Sequence, residues 1–175
     1  MANPNTALLI IDAQVNMFDP AFAVHDADDI LEKLKGLVSL ARTSGTQVIF
    51  VQHSGPVGAV DEPRAPGWLL HPELSVEEGD LITQKTEFSA FSNAELAPRL
   101  RSKGIQKLII AGMQSELCIA STCQAAVAEG FGVTLVADAH TTYDSETESA
   151  PEIIARVNKE LKEIATLWRI EEIHP

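Results

Sequence analysis

Short apolar runs alternate with amphipathic segments along almost the whole chain, and this alternation constrains the fold more than any other feature. The apolar runs are predicted strands, at residues 6–11, 47–51, 80–83, 107–111, 132–137 and 165–170. The segments between them have helical spacing and are predicted helices, at residues 28–44, 93–103, 116–129 and 150–164. Strands that are apolar along their length are typical of a sheet covered on both faces. We therefore expect one domain over residues 1–175, of the α/β class: a doubly wound, mostly parallel six-stranded sheet with helices on both faces.

Residues 52–79 interrupt this alternation. The segment is rich in glycine and proline, with Gly55, Pro56, Gly58, Pro63, Pro66, Gly67 and Pro72. Long ordered loops in compact domains usually have a functional role. The segment is therefore predicted to be an ordered loop or lid beside a binding site.

The charge balance and the cysteine count narrow the class of partner. The chain has 13 lysines and arginines against 25 acidic residues, a net charge of −12, which argues against binding to nucleic acid or an anionic membrane. No apolar run approaches the roughly 18–20 residues of a membrane span, and the N-terminus is typical of a strand rather than a signal peptide. Cys118 and Cys123 alone do not make a disulfide scaffold. A reducing, cytoplasmic setting is expected.

Three chemically useful side chains follow predicted strands. Asp12 ends the first strand, Lys85 follows the third, and Cys118 follows the fourth and Gly112. Ligands of doubly wound sheets bind at the carboxyl ends of the strands, so the three side chains are expected to meet at one edge. Each also has a simpler interpretation: Asp12 as a cap, Lys85 as a surface lysine, and Cys118 as a buried core thiol.

These three side chains suit nucleophilic catalysis. A thiol with a pKa of about 8.5 is expected to ionise more readily near a helix N-terminus and a cation. Asp12 can accept the thiol proton and Lys85 can orient the charges. His140, just beyond the fifth strand, is the best alternative base.

The stretches LLIIDAQVNMF, ITQKTEFSAF and IIAGMQSELCIASTCQAAVAEGFGVTLVADA resemble the isochorismatase-like cysteine hydrolases. That superfamily includes nicotinamidases, carbamoylsarcosine amidohydrolases, isochorismatases and streptothricin hydrolases. The resemblance extends from about residue 7 to residue 170, and it implies a catalytic triad of Asp12, Lys85 and Cys118. It also implies a cis peptide bond between Met113 and Gln114 that directs the Gln114 N–H inward. That N–H and the Cys118 N–H would then form an oxyanion hole.

Departures from the family pattern indicate which branch of the superfamily this sequence resembles. Nicotinamidases bind a divalent metal through an Asp-x-His pair and further histidines, but Val51 stands where the aspartate is expected. His53 and His71 without a carboxylate are a poor metal site, so no metal or other cofactor is expected. Members that split an enol ether have an aspartate in place of Cys118. AGMQSELCIASTC, VADAHTTYD and GWLLHPEL are most similar to the streptothricin-hydrolase-like and uncharacterised amidohydrolase branch.

The resemblance implies a metal-independent hydrolase that cleaves a small amide or carbamoyl compound through a thioester. Phe18, Trp68 and Phe88 are candidate walls of the substrate site, each with a packing role as the alternative. The resemblance further implies a homo-oligomer, a dimer or a tetramer, in which a neighbouring subunit completes the pocket. Gln14 is expected to brace the first loop rather than touch substrate.

Two other classes of protein remain as alternatives, besides nicotinamidase or isochorismatase activity on the same fold. A phospho-receiver module would need an acidic cluster after the first strand, where Asp12 is followed by Ala13 and Gln14. A thiol-bearing binding or redox-sensing protein would keep the same three side chains without turnover.

Overall fold

The sheet of the computed structural model, which describes residues 5–174, contains six strands that all run parallel. They are β1 Thr6–Ile11, β2 Gln47–His53, β3 Leu81–Lys85, β4 Lys107–Met113, β5 Gly132–Thr141 and β6 Thr166–Trp168. Their order across the sheet is β3-β2-β1-β4-β5-β6. The predicted doubly wound α/β fold is confirmed.

Apolar strands at the centre of the sheet separate two hydrophobic cores. Along β1, Leu8 and Ile10 face the core under the first helix, whereas Leu9 and Ile11 face the core under the other helices. Every residue of β1 is buried, because side chains of a strand alternate between two faces that are both covered. This explains why the strands have continuous rather than alternating apolar sequences.

The helices cover both faces. They are α1 Ala27–Thr43, α2 Leu96–Ser102, α3 Ala120–Ala128 and α4 Ala150–Leu161. Helix α4 begins with a capping box in which Ser149 and Glu152 satisfy each other's backbone N–H groups. None of the helices among residues 5–174 is long and apolar enough to cross a membrane.

The boundaries differ from the predicted ones mainly at the carboxyl edge of the sheet. Strands β2, β3, β4 and β5 extend to His53, Lys85, Met113 and Thr141, beyond the predicted residues 51, 83, 111 and 137, and β6 is shorter than predicted, at residues 166–168. The predicted helix over 116–129 begins instead with a π-helical turn, Ser115–Ile119. Most of the residues added to the strands are polar, and apolar periodicity does not register polar residues in a strand.

The order of the strands reverses between β1 and β4, because the chain builds outward from β1 to β3 and then returns to the other side. Ile11 of β1 is paired with Gly112 of β4. Gly112 has a φ of 122°, and a Cβ atom there would lie 2.1 Å from the carbonyl oxygen of Ile11. Only glycine permits this close approach at the switch point.

The connection between β2 and β3 is residues 54–80. We call residues 54–79 of this connection the lid segment. It contains two 3-10 turns, Pro66–Trp68 and Pro72–Leu74. Its middle pairs with the loop after β1: the Val15 N–H donates to the Leu69 carbonyl at 2.8 Å, and the His71 N–H donates to the Ala13 carbonyl at 2.9 Å. The lid segment is thus fastened to the edge where the strands end.

Candidate active site

Asp12, Lys85 and Cys118 lie together at the carboxyl edge of the sheet. The Lys85 Nζ is 2.9 Å from the Asp12 Oδ2 and 3.2 Å from the Cys118 Sγ. All three residues are buried. The ammonium therefore lies between a carboxylate and a thiol, away from bulk water.

Local backbone geometry places the two acidic members of this cluster. Asp12 follows β1 with a φ of 51°, a left-handed conformation that aspartate tolerates better than most residues. Its N–H donates to the Val51 carbonyl at 2.8 Å. Cys118 belongs to the π-helical turn, in which the Ile119 N–H donates to the Gln114 carbonyl at 3.1 Å. The Met113–Gln114 peptide bond before this turn is cis.

Burial controls the protonation of the thiol and the carboxyl group. Burial, the largest cause, and the Asp12 charge together raise the pKa of Cys118 to about 12, against the opposing effect of Lys85. Burial also raises the pKa of Asp12, and Lys85 again opposes the shift. The sequence led us to expect a lowered thiol pKa, and that expectation is wrong for the resting site. The site therefore holds a neutral thiol beside a carboxylate that is more basic than an exposed aspartate.

The histidines considered as metal ligands lie apart. The His53 Nδ1 is 3.1 Å from Lys85 Nζ, and its Nε2 is 3.9 Å from the Asp61 Oδ2. The His71 ring packs edge-on against Phe18, with centroids 4.9 Å apart. Among residues 5–174, no group of three or more His, Cys, Asp or Glu side chains is arranged to hold a metal ion. The side chains at the nicotinamidase ligand positions therefore do not fit a divalent metal, since His53 already contacts an ammonium.

His140 does not contact the thiol. Its Nδ1 is 2.8 Å from the Ser115 Oγ and its Nε2 is 3.0 Å from the Asn158 Oδ1. The Asn158 Nδ2 donates to the Ala137 carbonyl at 3.0 Å, which fixes the orientation of the amide. Burial lowers the pKa of His140, so the ring is a neutral brace between α4 and the turn that carries Cys118. This brace was missed, because sequence spacing does not relate Asn158 to Ser115.

The three candidate wall residues have different surroundings. Phe18 is half-buried against the His71 ring. The Trp68 Nε1 donates to the Ser54 Oγ at 3.1 Å, and Trp68 lines a groove beside β3 together with Gln52. Phe88 is 53% exposed. The side-chain contacts thus pair Phe18 with His71 and Trp68 with Ser54.

Two buried glutamines hold the lid segment. The Gln14 Nε2 donates to the carbonyls of Trp68 and His53 at 2.9 and 3.0 Å, and its Oε1 accepts from the His53 N–H at 2.7 Å. The Gln52 Nε2 also donates to the Trp68 carbonyl, at 2.6 Å. The predicted bracing by Gln14 therefore extends to the lid segment and to the end of β2.

The fold and the cluster define the class: an α/β protein with a thiol, a carboxylate and an ammonium at the switch point of a doubly wound sheet. Residues 6–166 match the model of the isochorismatase domain. The chain belongs to the isochorismatase family.

Individual relatives support this assignment. The chain is 38% identical over 166 residues to a streptothricin hydrolase of Streptomyces noursei. This alignment covers 94% of this chain and 59% of that protein. It is 28% identical over 177 residues to a ureidoacrylate amidohydrolase of Stutzerimonas stutzeri, covering 80% of this chain and 71% of that protein. A solved structure of an isochorismatase from Pseudomonas putida KT2440 superposes with a TM-score of 0.91 at 26% identity, covering 99% and 92% of the two chains. The chain thus spans about three fifths of the length of the streptothricin hydrolase.

Proposed function

We propose that this protein is a metal-independent cysteine hydrolase that cleaves a small amide or carbamoyl compound, with Asp12, Lys85 and Cys118 as its catalytic residues. The observation that carries the proposal is the contact of one buried ammonium with both other groups, at 2.9 Å to Asp12 and 3.2 Å to Cys118. Buried charges persist where they are paired. The names of the two relatives, a streptothricin hydrolase and a ureidoacrylate amidohydrolase, support hydrolysis of a C–N bond.

In the first half of the reaction, the thiol is deprotonated as it attacks. The Cys118 proton passes to the Asp12 carboxylate while Sγ bonds to the substrate carbonyl carbon. The Lys85 ammonium stabilises the charge that develops on sulfur. The backbone N–H groups of Gln114 and Cys118 donate to the oxyanion. The proton then passes from Asp12 to the leaving nitrogen, the C–N bond breaks, and a thioester remains.

In the second half, water releases the acyl group. Asp12 takes a proton from a water molecule whose oxygen bonds to the thioester carbonyl carbon. The C–S bond then breaks, the proton returns to Sγ, and the acid product leaves. The raised pKa of Asp12 suits both transfers, since a more basic carboxylate accepts a proton more readily.

Intact-protein mass spectrometry during incubation with a panel of small amides and carbamoyl amino acids tests this proposal. We expect an acyl adduct on the wild type and on Cys123→Ala, with release of ammonia or amine. Cys118→Ala should form no adduct and release nothing. Cys123 is buried in α3 outside the cluster and is therefore the matched control. Equal product release by Cys118→Ala would overturn the assignment of the nucleophile; binding without an adduct by the wild type would favour a binding or sensing protein.

We also propose that Phe18, Trp68 and Phe88 contribute to the substrate site, and that the protein is a cytoplasmic homo-oligomer. A neighbouring subunit would then complete the enclosure around the substrate. Exposed apolar side chains support association: Val57 and Val60 in the lid segment, and Phe22 in the loop after β1.

A further inference from the structure

The His53 ring contacts the lysine of the candidate active site directly. Its Nδ1 is 3.1 Å from Lys85 Nζ. His53 and Lys85 are partners in the register of β2 and β3, each the last residue of its strand. The His53 backbone is held on both its N–H and its carbonyl by the Gln14 side chain. The position of the ring relative to the ammonium is therefore set by the sheet itself.

The partners of the ring define its tautomer. An ammonium can only donate hydrogen bonds, so Nδ1 must present its lone pair to Lys85. The single ring proton is then on Nε2, which faces the Asp61 carboxylate of the lid segment at 3.9 Å. The charged groups around the ring are thus Lys85 on one side and Asp61 on the other, with Asp12 beyond the ammonium. A neutral imidazole can thus accept from Lys85 while its one N–H is directed toward Asp61.

The surroundings of the Lys85 ammonium show what this acceptor adds. Its three N–H groups face four acceptors: Asp12 Oδ2 at 2.9 Å, His53 Nδ1 at 3.1 Å, and the Glu87 carbonyl and Cys118 Sγ, each at 3.2 Å. The first and last carry or develop negative charge in the proposed reaction. The other two are neutral. A neutral acceptor fixes the position of the ammonium without adding a negative charge that would oppose ionisation of the thiol.

We propose that His53 is a positioning residue that holds the Lys85 ammonium between Asp12 and Cys118 through its neutral Nδ1. The side chain at a position used for metal binding in nicotinamidases thus serves the lysine in this chain. The proposal rests on the proposed roles of Lys85 and Cys118. It concerns the reactivity of the thiol, which can be measured without any substrate.

The test is the rate of Cys118 alkylation by iodoacetamide as a function of pH, with the modified peptide identified by mass spectrometry. We expect His53→Leu to slow alkylation about tenfold at a given pH, because a less ordered ammonium stabilises the thiolate less. His53→Asn, whose Oδ1 can occupy the place of Nδ1, should stay within about threefold of the wild type. His71→Leu removes a histidine that does not touch Lys85 and should leave the profile unchanged.

A wild-type profile for His53→Leu would overturn the proposal, and so would equal slowing by His53→Leu and His53→Asn. Thermal melting identifies any variant that does not fold. If His53→Leu is one of them, the isosteric pair His53→Asp and His53→Asn replaces it. The added carboxylate should then make alkylation at least about tenfold slower in His53→Asp, and equal rates would contradict the role of a neutral acceptor. Alkylation does not depend on turnover, so failure of the hydrolase proposal would be seen separately.

Discussion

The Cys118 thiol and the Asp12 carboxyl group are two ionisable groups that contact the same buried cation, the Lys85 ammonium. Burial and the Asp12 charge raise the pKa of Cys118 to about 12, while Lys85 acts in the opposite direction. Ionising the thiol while Asp12 is charged would place two anions beside one ammonium. Transfer of the proton from sulfur to Asp12 avoids this, since the number of negative charges stays constant. The arrangement thus suits attack coupled to proton transfer rather than a preformed thiolate.

This coupling predicts opposite effects of Asp12→Asn on the thiol and on turnover. The substitution removes the negative charge that raises the pKa of Cys118, so the pKa falls and more thiolate is present at a given pH. We expect Cys118 alkylation at pH 8–9 to be about tenfold faster, on the order of one pKa unit, while amide hydrolysis is lost with its base. The measurement is the alkylation rate across pH, with Cys118→Ala giving the background from Cys123 and circular dichroism checking the fold. Slower alkylation in Asp12→Asn would contradict the electrostatic account.

At the scale of elements, the site depends on how closely β1 and β4 approach at the switch point. Gly112 has its φ in the region that favours glycine, and the missing Cβ leaves room for the backbone of Ile11. This contact joins the strand that ends in Asp12 to the strand that leads to Cys118. Small changes in strand spacing are therefore transmitted to the distance between the two groups.

We expect Gly112→Ala to lower the free energy of unfolding by at least about 3 kcal/mol, from backbone strain together with overpacking against Ile11. Gly104→Ala is the matched control: Gly104 also has a positive φ, of 73°, but a Cβ atom there meets nothing within 4 Å. Gly104→Ala should lower the free energy of unfolding by only about 1–2 kcal/mol, because it adds backbone strain without overpacking. Urea unfolding of both variants measures the difference. Equal losses would show that the close approach to Ile11 has no energetic weight.

The same strands show which features of the fold and of the candidate site could be predicted from the sequence. Continuous apolar runs such as TALLII indicate covered parallel strands, and the polar residues that follow them fall on one edge of the sheet. The proximity of Asp12, Lys85 and Cys118 could therefore be predicted from the sequence. The contact of His53 with Lys85 depends on the register of β2 against β3, which no local pattern encodes. The raised pKa of Cys118 depends on burial by several distant segments. Properties that belong to one strand are thus predictable, and those that need the packing of several elements are not.

At the scale of the whole molecule, apolar exposure is concentrated around the lid segment. Phe22, Val57 and Val60 are 77%, 92% and 71% exposed, and Phe22 and Val60 border one cavity of ≈ 630 Å³. A chain with a net charge of −12 resists nonspecific association through self-repulsion. The exposed apolar side chains and the high net charge together favour association through one defined apolar surface.

We therefore expect sedimentation velocity at micromolar concentration to give a mass of at least twice the 18.9 kDa of one chain. Phe22→Ser should shift the protein toward the monomer, because it removes an apolar side chain from the proposed interface. Ile164→Ser changes an exposed apolar residue after α4 and should leave the mass unchanged. A wild-type mass of one chain would refute the proposed oligomer.

The hydrogen bonds from Gln14 and Gln52 to the Trp68 carbonyl have a consequence for how this scaffold can acquire new substrates. On one side the lid segment is joined to β3, where the Ser54 N–H donates to the Lys85 carbonyl; on the other it is tied down at Trp68. The intervening residues 55–67 connect these two attachments. We expect changes in these residues that spare Asp61, which faces the His53 ring, to alter selectivity before they alter the edge that carries Asp12, Lys85 and Cys118.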